Sequence, residues 1–304
     1  MTGSKDLAPL HWAPFKMMLN NQFRYKPQYP PKETSLSGKT AIVTGANTGL
    51  GFDSARQLLA LKLSHLIIAV RSTSKGETAA ADLRQRYPKA KIEVWQLDMS
   101  LYDSVQSFAR RVQQQVQRID ITILNAGLSN VQFRTCPSTG HEETIQVNYI
   151  STVLLATLLL PIMKEKKPPT GHPGILTIVN SGLALTANFK NRNAAPLLPS
   201  FDEQKTFHMT DTYATSKTLG HLWLYHACEY VSADDVVLSM VDPGYVKGTG
   251  LQRDLPVFMK PVLFLFDLIA GKTVEVGGAS YVDAVVNKGK ESHGCFVMCF
   301  EIRP

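Results

Sequence analysis

Four cysteines in 304 residues are too few to staple a chain of this size, which excludes a disulfide scaffold and fits a reducing compartment. Long uninterrupted apolar runs are also missing. The two most apolar segments, 154–163 and 256–270, fail as membrane spans: the first is too short, and Lys260 and Asp267 interrupt the second. The opening stretch MTGSKDLAPLHWAPFKMML lacks the continuous apolar core of a secretory signal. A cytoplasmic protein without an integral membrane segment is therefore expected, with peripheral membrane association as a secondary reading. No block of like charge occurs. The 32 basic and 25 acidic residues leave a net charge of +7 that is spread along the chain, so anionic small ligands fit and nucleic acid gains little support. Repeats and low-complexity tracts are absent, and 44% hydrophobic residues exclude disorder.

Residues 1–37 carry prolines at 9, 14, 27, 30 and 31 among scattered aromatics (Trp12, Phe15, Phe23, Tyr25, Tyr29). Proline resists helix and sheet interiors, so this stretch reads as an irregular arm whose aromatics pack on the body. From Gly38 the pattern changes. Short β-branched runs at 40–44, 66–70, 92–97, 121–125, 175–180, 236–241 and 295–299 alternate with amphipathic segments near 50–62, 75–86, 101–118, 141–166, 213–231 and 273–288. Near-continuous apolar strands between helices predict a parallel sheet covered on both faces, in one α/β domain over 38–304.

The first strand runs into Thr44-Gly45-Ala46-Asn47-Thr48-Gly49-Leu50-Gly51 and then a helix. Glycines there permit a tight turn and close approach of backbone to a ligand, and a helix N-terminus offers unpaired N–H groups to a pyrophosphate. Glycines also serve ordinary turns; the strand before and the helix after favour the dinucleotide. The second strand ends Val70-Arg71, where an NAD site places an acid for the ribose hydroxyls. An arginine without that acid suits a 2′-phosphate, which predicts NADP(H), although a surface arginine after a strand is common enough. Asp98 closes the third strand, where it can accept from the adenine amino group. Asn125-Ala126-Gly127 closes the fourth, leaving room for the adenosine half.

Tyr213 and Lys217 stand four apart, on one face of a predicted helix. A neighbouring ammonium, with the cationic nicotinamide ring, is expected to favour tyrosinate and so make the phenol a usable acid–base group. Tyr87 and Lys91 share the spacing by chance; Pro88 between them breaks the helix. Ser181 at the fifth strand end can hold a substrate oxygen toward the phenol. Asn148 is an amide in an apolar helix, for which a satisfied buried polar residue is the plain alternative.

These motifs resemble those of the short-chain dehydrogenase/reductase superfamily. Thr44–Gly51 is similar to its TGxxxGxG, Asn125–Gly127 to its NAG and Tyr213–Lys217 to its YxxxK, in order, over about 38–300. TGANTGLG and the AVRS strand end look closest to the retinol-dehydrogenase-like branch, and the arm is similar to those of fungal members in secondary metabolism. The resemblance implies a doubly wound seven-stranded sheet and a catalytic set of Asn148, Ser181, Tyr213 and Lys217. It also implies cofactor contacts from Gly45, Asn47, Thr48, Gly49, Leu50, Arg71, Asp98, Asn125, Tyr213, Lys217, Pro243 and Val246, with no metal. In the family the asparagine helps hold a proton-relaying water, and the backbone at the position of Val246 meets the nicotinamide carboxamide. Gly248 stands where a hydroxyl residue is usual, and Thr249 follows it.

Two departures concern the substrate. Ser181 and Tyr213 are 32 residues apart, more than twice the interval of simpler members, and the insertion carries Phe189, Phe201, Phe207 and His208, expected to shape a pocket. The stretch 249–270 reads as a lid, with Phe258, Met259, Leu263, Phe264, Leu265 and Phe266 over a bulky apolar ligand. A dimer contact or shallow membrane association explains it as well, and a homodimer stays open. The expected activity is NADPH-dependent reduction of a lipophilic carbonyl compound. A non-redox enzyme on the same fold (isomerase, dehydratase or cyclisation catalyst) is the alternative, and a non-catalytic nucleotide sensor is disfavoured by the intact catalytic set.

Overall fold

The computed structural model describes residues 4, 7–9, 14–167, 172–250, 264 and 267–304. Its strands are β1 (Thr40–Thr44), β2 (His65–Val70), β3 (Lys91–Gln96), β4 (Ile121–Leu124), β5 (Gly174–Val179), β6 (Val236–Asp242), β7 (Phe296–Met298) and β8 (Glu301–Arg303). They form one sheet in the order β3-β2-β1-β4-β5-β6-β7-β8. Its helices are α1 (Pro14–Phe23), α2 (Gly49–Ala60), α3 (Thr73–Arg86), α4 (Tyr102–Gln115), α5 (Glu143–Ile145), α6 (Ser151–Glu165), α7 (Met209–Ala227) and α8 (Val274–Val282).

Alternation of side chains along each strand divides the core into two. Ile42 and Ile67 join Trp95, Phe108, Leu155, Leu159 and Leu224 under α4, α6 and α7. Ala41, Val43, Leu66 and Ile68 join Leu58, Leu83, Tyr281 and Val285 under α2, α3 and α8. Both faces are thus covered, and β1 and β6 are buried at every position. Helix α8 lies tight on α2 because glycine permits it: a Cβ on Gly277 would stand 2.5 Å from Leu50 Cδ2. The chain builds outward from β1 to β3 and crosses back to β4. That reversal opens a crevice beyond the carboxyl ends of β1 and β4, the usual ligand position in such sheets.

The fold is the expected doubly wound sheet, with one strand more than seven. Seven strands are parallel, and β8 returns antiparallel to β7 through Cys299 and Phe300, both at positive φ (56° and 64°). A two-residue hairpin normally announces itself with Asn or Gly; here neither is present, so the sequence shows no turn signal. The arm also differs from an irregular chain. No proline interrupts 15–23, and Pro14 begins the helix where a missing N–H costs nothing, so α1 forms and Met17 enters the core.

Among the described residues one helix, Glu143–Glu165, is long and apolar enough to cross a membrane. It is a core helix here: Leu155, Ala156, Leu159 and Met163 are buried. It is not uniform, since Gln146–Ile150 widens into a π-turn before α6.

Candidate active site

The crevice begins with the glycines after β1. Gly45 (φ 66°) and Gly49 (φ 59°) occupy backbone conformations that suit glycine. A Cβ on Gly51 would lie 2.5 Å from Asn125 Nδ2 and 2.8 Å from the Gly45 carbonyl, whereas one on Gly49 would meet nothing within 4 Å. The loop is thus packed hard on its inner side and open at Gly49. Thr48 precedes α2 without placing its hydroxyl on the helix N–H groups. Asn125 braces the loop from β4, its Nδ2 donating to the Thr44 carbonyl at 2.8 Å, while Ala126 N donates to Thr44 Oγ1 at 2.9 Å. Asn47 is half-buried, and Leu50 seats the loop against α8. Open space, left-handed glycines and a helix start together suit a pyrophosphate.

On the adenosine side Val70 is buried and Arg71 is exposed, one residue beyond β2. Arg71 shares the lining of an open cavity of about 630 Å³ with Ser100, Arg134, Cys136 and Glu143. Arg134 comes from the connection after β4, where no pattern in the sequence marks it. Asp98 accepts from Ser100 N (2.9 Å) and Ser100 Oγ (2.7 Å) through Oδ1, which fixes its carboxylate at the end of β3.

The four residues expected to carry the chemistry come together across α7, the π-turn and the end of β5. Asn148 lies in the π-turn, a local widening frequent at functional sites. Its Oδ1 accepts from Leu128 N (2.9 Å), and its Nδ2 donates to the Leu128 carbonyl (2.8 Å) and to Ser216 Oγ (3.1 Å). Asn148 Oδ1 and Lys217 Nζ face the same glycine, since a Cβ on Gly127 would stand 3.2 and 3.8 Å from them. Ser181 stands close enough to Tyr213 for its hydroxyl to pull the phenol pKa down, while its Oγ accepts from Leu183 N at 3.2 Å. Lys217 Nζ donates to the Val179 carbonyl at 2.9 Å and lies 5.8 Å from the centre of the Tyr213 ring. Tyr87 and Lys91 fall at the end of α3 and the start of β3, and share no helix.

The electrostatics run opposite to the expected tyrosinate. Burial, and then the negative charge of Asp242, push the Tyr213 phenol up to about 12 against the pull of Ser181. Burial pushes Lys217 down to about 8, with Asp242 opposing. Without an added cation, desolvation dominates, and the resting tyrosine is protonated. Asp242, at the end of β6, is itself pushed up by burial although Gly244 N donates to it at 3.0 Å. Its influence on both reacting groups was not apparent from spacing, because it arrives from a different strand.

Pro243 and Val246 continue from Asp242 and are buried. Thr249 Oγ1 turns back to the Val246 carbonyl at 3.4 Å. Of the expected lid, 251–263 and 265–266 lie outside the described residues, and with them Phe258, Met259, Leu263, Leu265 and Phe266. Phe264, Leu268 and Ile269 are exposed. In the insertion, Phe189 and Phe201 pack on each other at 6.4 Å and, with Leu219 and Ile145, form a small separate core. These two anchor the insertion on α5 and α7. Phe207 meets Phe133 edge-on at 5.9 Å, and His208 precedes α7. Asn180 is structural: its amide holds the Lys217 carbonyl at 3.1 Å.

Residues 39–191 match the family model described as short chain dehydrogenase. The chain is 56% identical over 306 residues to the short chain dehydrogenase/reductase mfmJ of Annulohypoxylon moriforme, covering 100% of this chain and 88% of that one. It is 41% identical over 280 residues to the short chain dehydrogenase virL of Hypocrea virens, covering 92% and 81%. Among solved structures, a short-chain type dehydrogenase/reductase from Mycobacterium marinum superposes with a TM-score of 0.67 at 18% identity, covering 86% of this chain and 94% of that one. The NADPH-dependent 3-quinuclidinone reductase of Rhodotorula rubra gives 0.65 at 19%, covering 95% and 96%. With the glycine loop, the Asn125 brace and the Tyr213–Lys217 turn of α7 in their places on this sheet, the chain belongs to the short-chain dehydrogenase/reductase family.

Proposed function

We propose that the protein is an NADPH-dependent ketoreductase that reduces a carbonyl group of a bulky, lipophilic small molecule in fungal secondary metabolism. The convergence of Ser181 and a protonated Tyr213 beside the open glycine loop carries this reading. The residues suit the cofactor: Gly45, Asn47, Thr48, Gly49 and Leu50 would hold the pyrophosphate, with Asn125 behind them. Arg71 would take the 2′-phosphate and Asp98 the adenine. Pro243 and Val246 would border the nicotinamide, with Tyr213 and Lys217 on the ribose side. Bound there, NADPH supplies hydride to the carbonyl carbon.

Ser181 holds the carbonyl oxygen, and Tyr213 gives it a proton as negative charge develops. A phenol held near 12 keeps that proton at neutral pH, which suits a donor in the reducing direction. Lys217, held near 8, returns a proton to the phenol, and Asn148 fixes the turn from which the relay starts. The fungal origin of the relatives supports the metabolic setting. The exposed Phe264, Leu268 and Ile269 support a lipophilic substrate under a lid over 249–270. The division into an arm over 1–37 and one domain over 38–304 belongs to this reading.

The test is incubation of purified protein with a panel of lipophilic ketones and NADPH, following loss of cofactor absorbance together with product mass. Equimolar cofactor oxidation and alcohol formation is the expected result. Product formed without cofactor consumption favours a non-redox isomerase, dehydratase or cyclisation catalyst and overturns the reductase.

A further inference from the structure

Two amides of the arm are buried at the far end of the chain. Asn21 and Gln22, adjacent on α1, are 6% and 8% exposed, while Phe23 beside them is 53% exposed. Burying an amide is unfavourable unless its donors and acceptors are met. Gln22 meets them on backbone: its Oε1 accepts from Tyr245 N at 3.0 Å, and its Nε2 donates to the Tyr245 carbonyl at 2.8 Å and to the Ala270 carbonyl. The same Tyr245 carbonyl accepts from Lys272 N at 3.1 Å, and Lys247 N donates to the Lys272 carbonyl at 3.1 Å. Gln22 therefore lies along a short parallel pairing of 245–247 with 272 and adds a side-chain rung to it.

Asn21 joins two buried charges. Its Nδ2 donates to the Asp242 carboxylate, and its Oδ1 accepts from Lys272 Nζ at 3.3 Å and from Cys299 Sγ at 2.8 Å. Lys272 Nζ also rests 4.1 Å from the centre of the Tyr25 ring, another residue of the arm. Gly244 leaves room for this knot: at φ 72°, a Cβ there would stand 2.7 Å from Lys272 Nζ and 3.2 Å from Gln22 Oε1. Apart from the Cys299 thiol, the partners of Asn21 and Gln22 fall on the Asp242–Val246 stretch or on 270–272, the two chain segments that flank the expected lid.

We propose that Gln22 is a positioning residue for the nicotinamide half of the cofactor, setting the backbone of Tyr245 and so the Pro243–Val246 segment, with Asn21 locking the base of that segment to Lys272. This rests on the NADPH reading given above. The arm thereby becomes part of the cofactor site without touching the cofactor. Gln22→Met keeps the length of the side chain and removes its three hydrogen bonds; Gln22→Glu keeps the acceptor for Tyr245 N and removes the donor.

In the full-length protein, NADPH affinity is read by fluorescence titration and fold stability by thermal unfolding, with Phe23→Ala as a control on the same helix. Gln22→Met is expected to weaken NADPH binding about tenfold, Gln22→Glu at least threefold, and Phe23→Ala less than twofold. In turnover with a reducible ketone, KM for NADPH rises while kcat at saturating NADPH stays within threefold. Should Gln22→Met fail to fold, Gln22→Glu carries the test. Binding within twofold of wild type in each folded Gln22 variant, whatever the change in melting temperature, overturns the inference alone. A wild-type protein that does not bind NADPH overturns the cofactor reading and this inference with it.

Discussion

Lys217 does not hydrogen-bond to Tyr213: its Nζ lies 5.8 Å from the centre of the phenol ring and is held by the Val179 carbonyl at 2.9 Å. The two side chains rise from one face of α7, one turn apart, yet the ammonium makes no direct bond to the phenol. Burial then decides the protonation of both. The phenol is pushed up to about 12 and the ammonium down to about 8, so the pair rests with its protons on the tyrosine and, below pH 8, on the lysine. That is the state from which a carbonyl oxygen can be protonated.

Tyr213→Phe removes the proton donor and leaves the ring, the helix and the glycine loop in place. Steady-state reduction should fall by about 10²–10⁴-fold, the usual contribution of a positioned acid. NADPH affinity, measured by titration without substrate, should change less than threefold. Turnover by the variant at the wild-type rate would remove Tyr213 from the chemistry.

Lys217→Met should abolish reduction and make the fold more stable at neutral pH. An ammonium that is 7% exposed and whose pKa falls from 10.5 to about 8 carries a cost to the fold. After allowance for the lost bond to Val179, removing it should gain about 1–3 kcal/mol at pH 7. The sign follows from proton uptake. Between about pH 8 and 10.5 the unfolded lysine holds a proton that the folded one has lost, so wild-type stability from this group rises with pH through that window. Below pH 8 both states are charged and the cost is full. The melting advantage of the variant should therefore be largest at pH 7 and shrink toward pH 10; an equal or growing advantage at pH 10 contradicts the buried-ammonium account.

What could be read in advance tracks how local the signal is. The strands were visible because β1 and β6 are buried on both faces and carry unbroken apolar runs, and the glycine loop because strand, turn and helix are contiguous. Asn148, Ser181, Tyr213 and Lys217 were recognisable as a set only through the family pattern, since their meeting depends on three separated elements. The π-turn under Asn148 was hidden because its departure from α-helix lies in backbone bonding and leaves no distinctive residue type. Asn21, Gln22 and Lys272 were silent for a stronger reason: their partners lie more than 220 residues away, and those of Gln22 are backbone groups, which any residue supplies. Phe189 and Phe201 were misread as pocket residues because an aromatic in an insertion does not reveal which side it packs on.

Gly51→Ala tests the inner wall of the glycine loop. The added Cβ would sit 2.5 Å from Asn125 Nδ2 and 2.8 Å from the Gly45 carbonyl, and neither can retreat: the amide is tied to the Thr44 carbonyl and the other atom is backbone. Overpacking of this kind costs about 1–3 kcal/mol. Unfolding in urea should show that loss, together with at least tenfold weaker NADPH binding. Gly250→Ala, where a Cβ would meet nothing within 4 Å, should show neither, and parity between the two variants would argue against a packed cradle.

Arg71→Ala distinguishes a phosphate site from a surface arginine. Arg71 stands in the open, beside a cavity that it shares with Arg134, and the preceding Val70 supplies no carboxylate to a ribose hydroxyl. A charge-assisted bond to a 2′-phosphate contributes about 1.5–3 kcal/mol, so the variant should lose roughly 10- to 100-fold in kcat/KM for NADPH and almost nothing for NADH. Exposure adds a second signature. An interaction between solvent-facing charges weakens with salt, so the wild-type preference for NADPH should fall as ionic strength is raised, and the preference of the variant should not. Arg134→Ala should repeat the pattern at smaller amplitude, because it lines the same cavity, which Glu143 also lines with an opposing charge. Equal losses for NADPH and NADH in Arg71→Ala would place that arginine on the shared adenosine half and leave the coenzyme preference without its phosphate anchor.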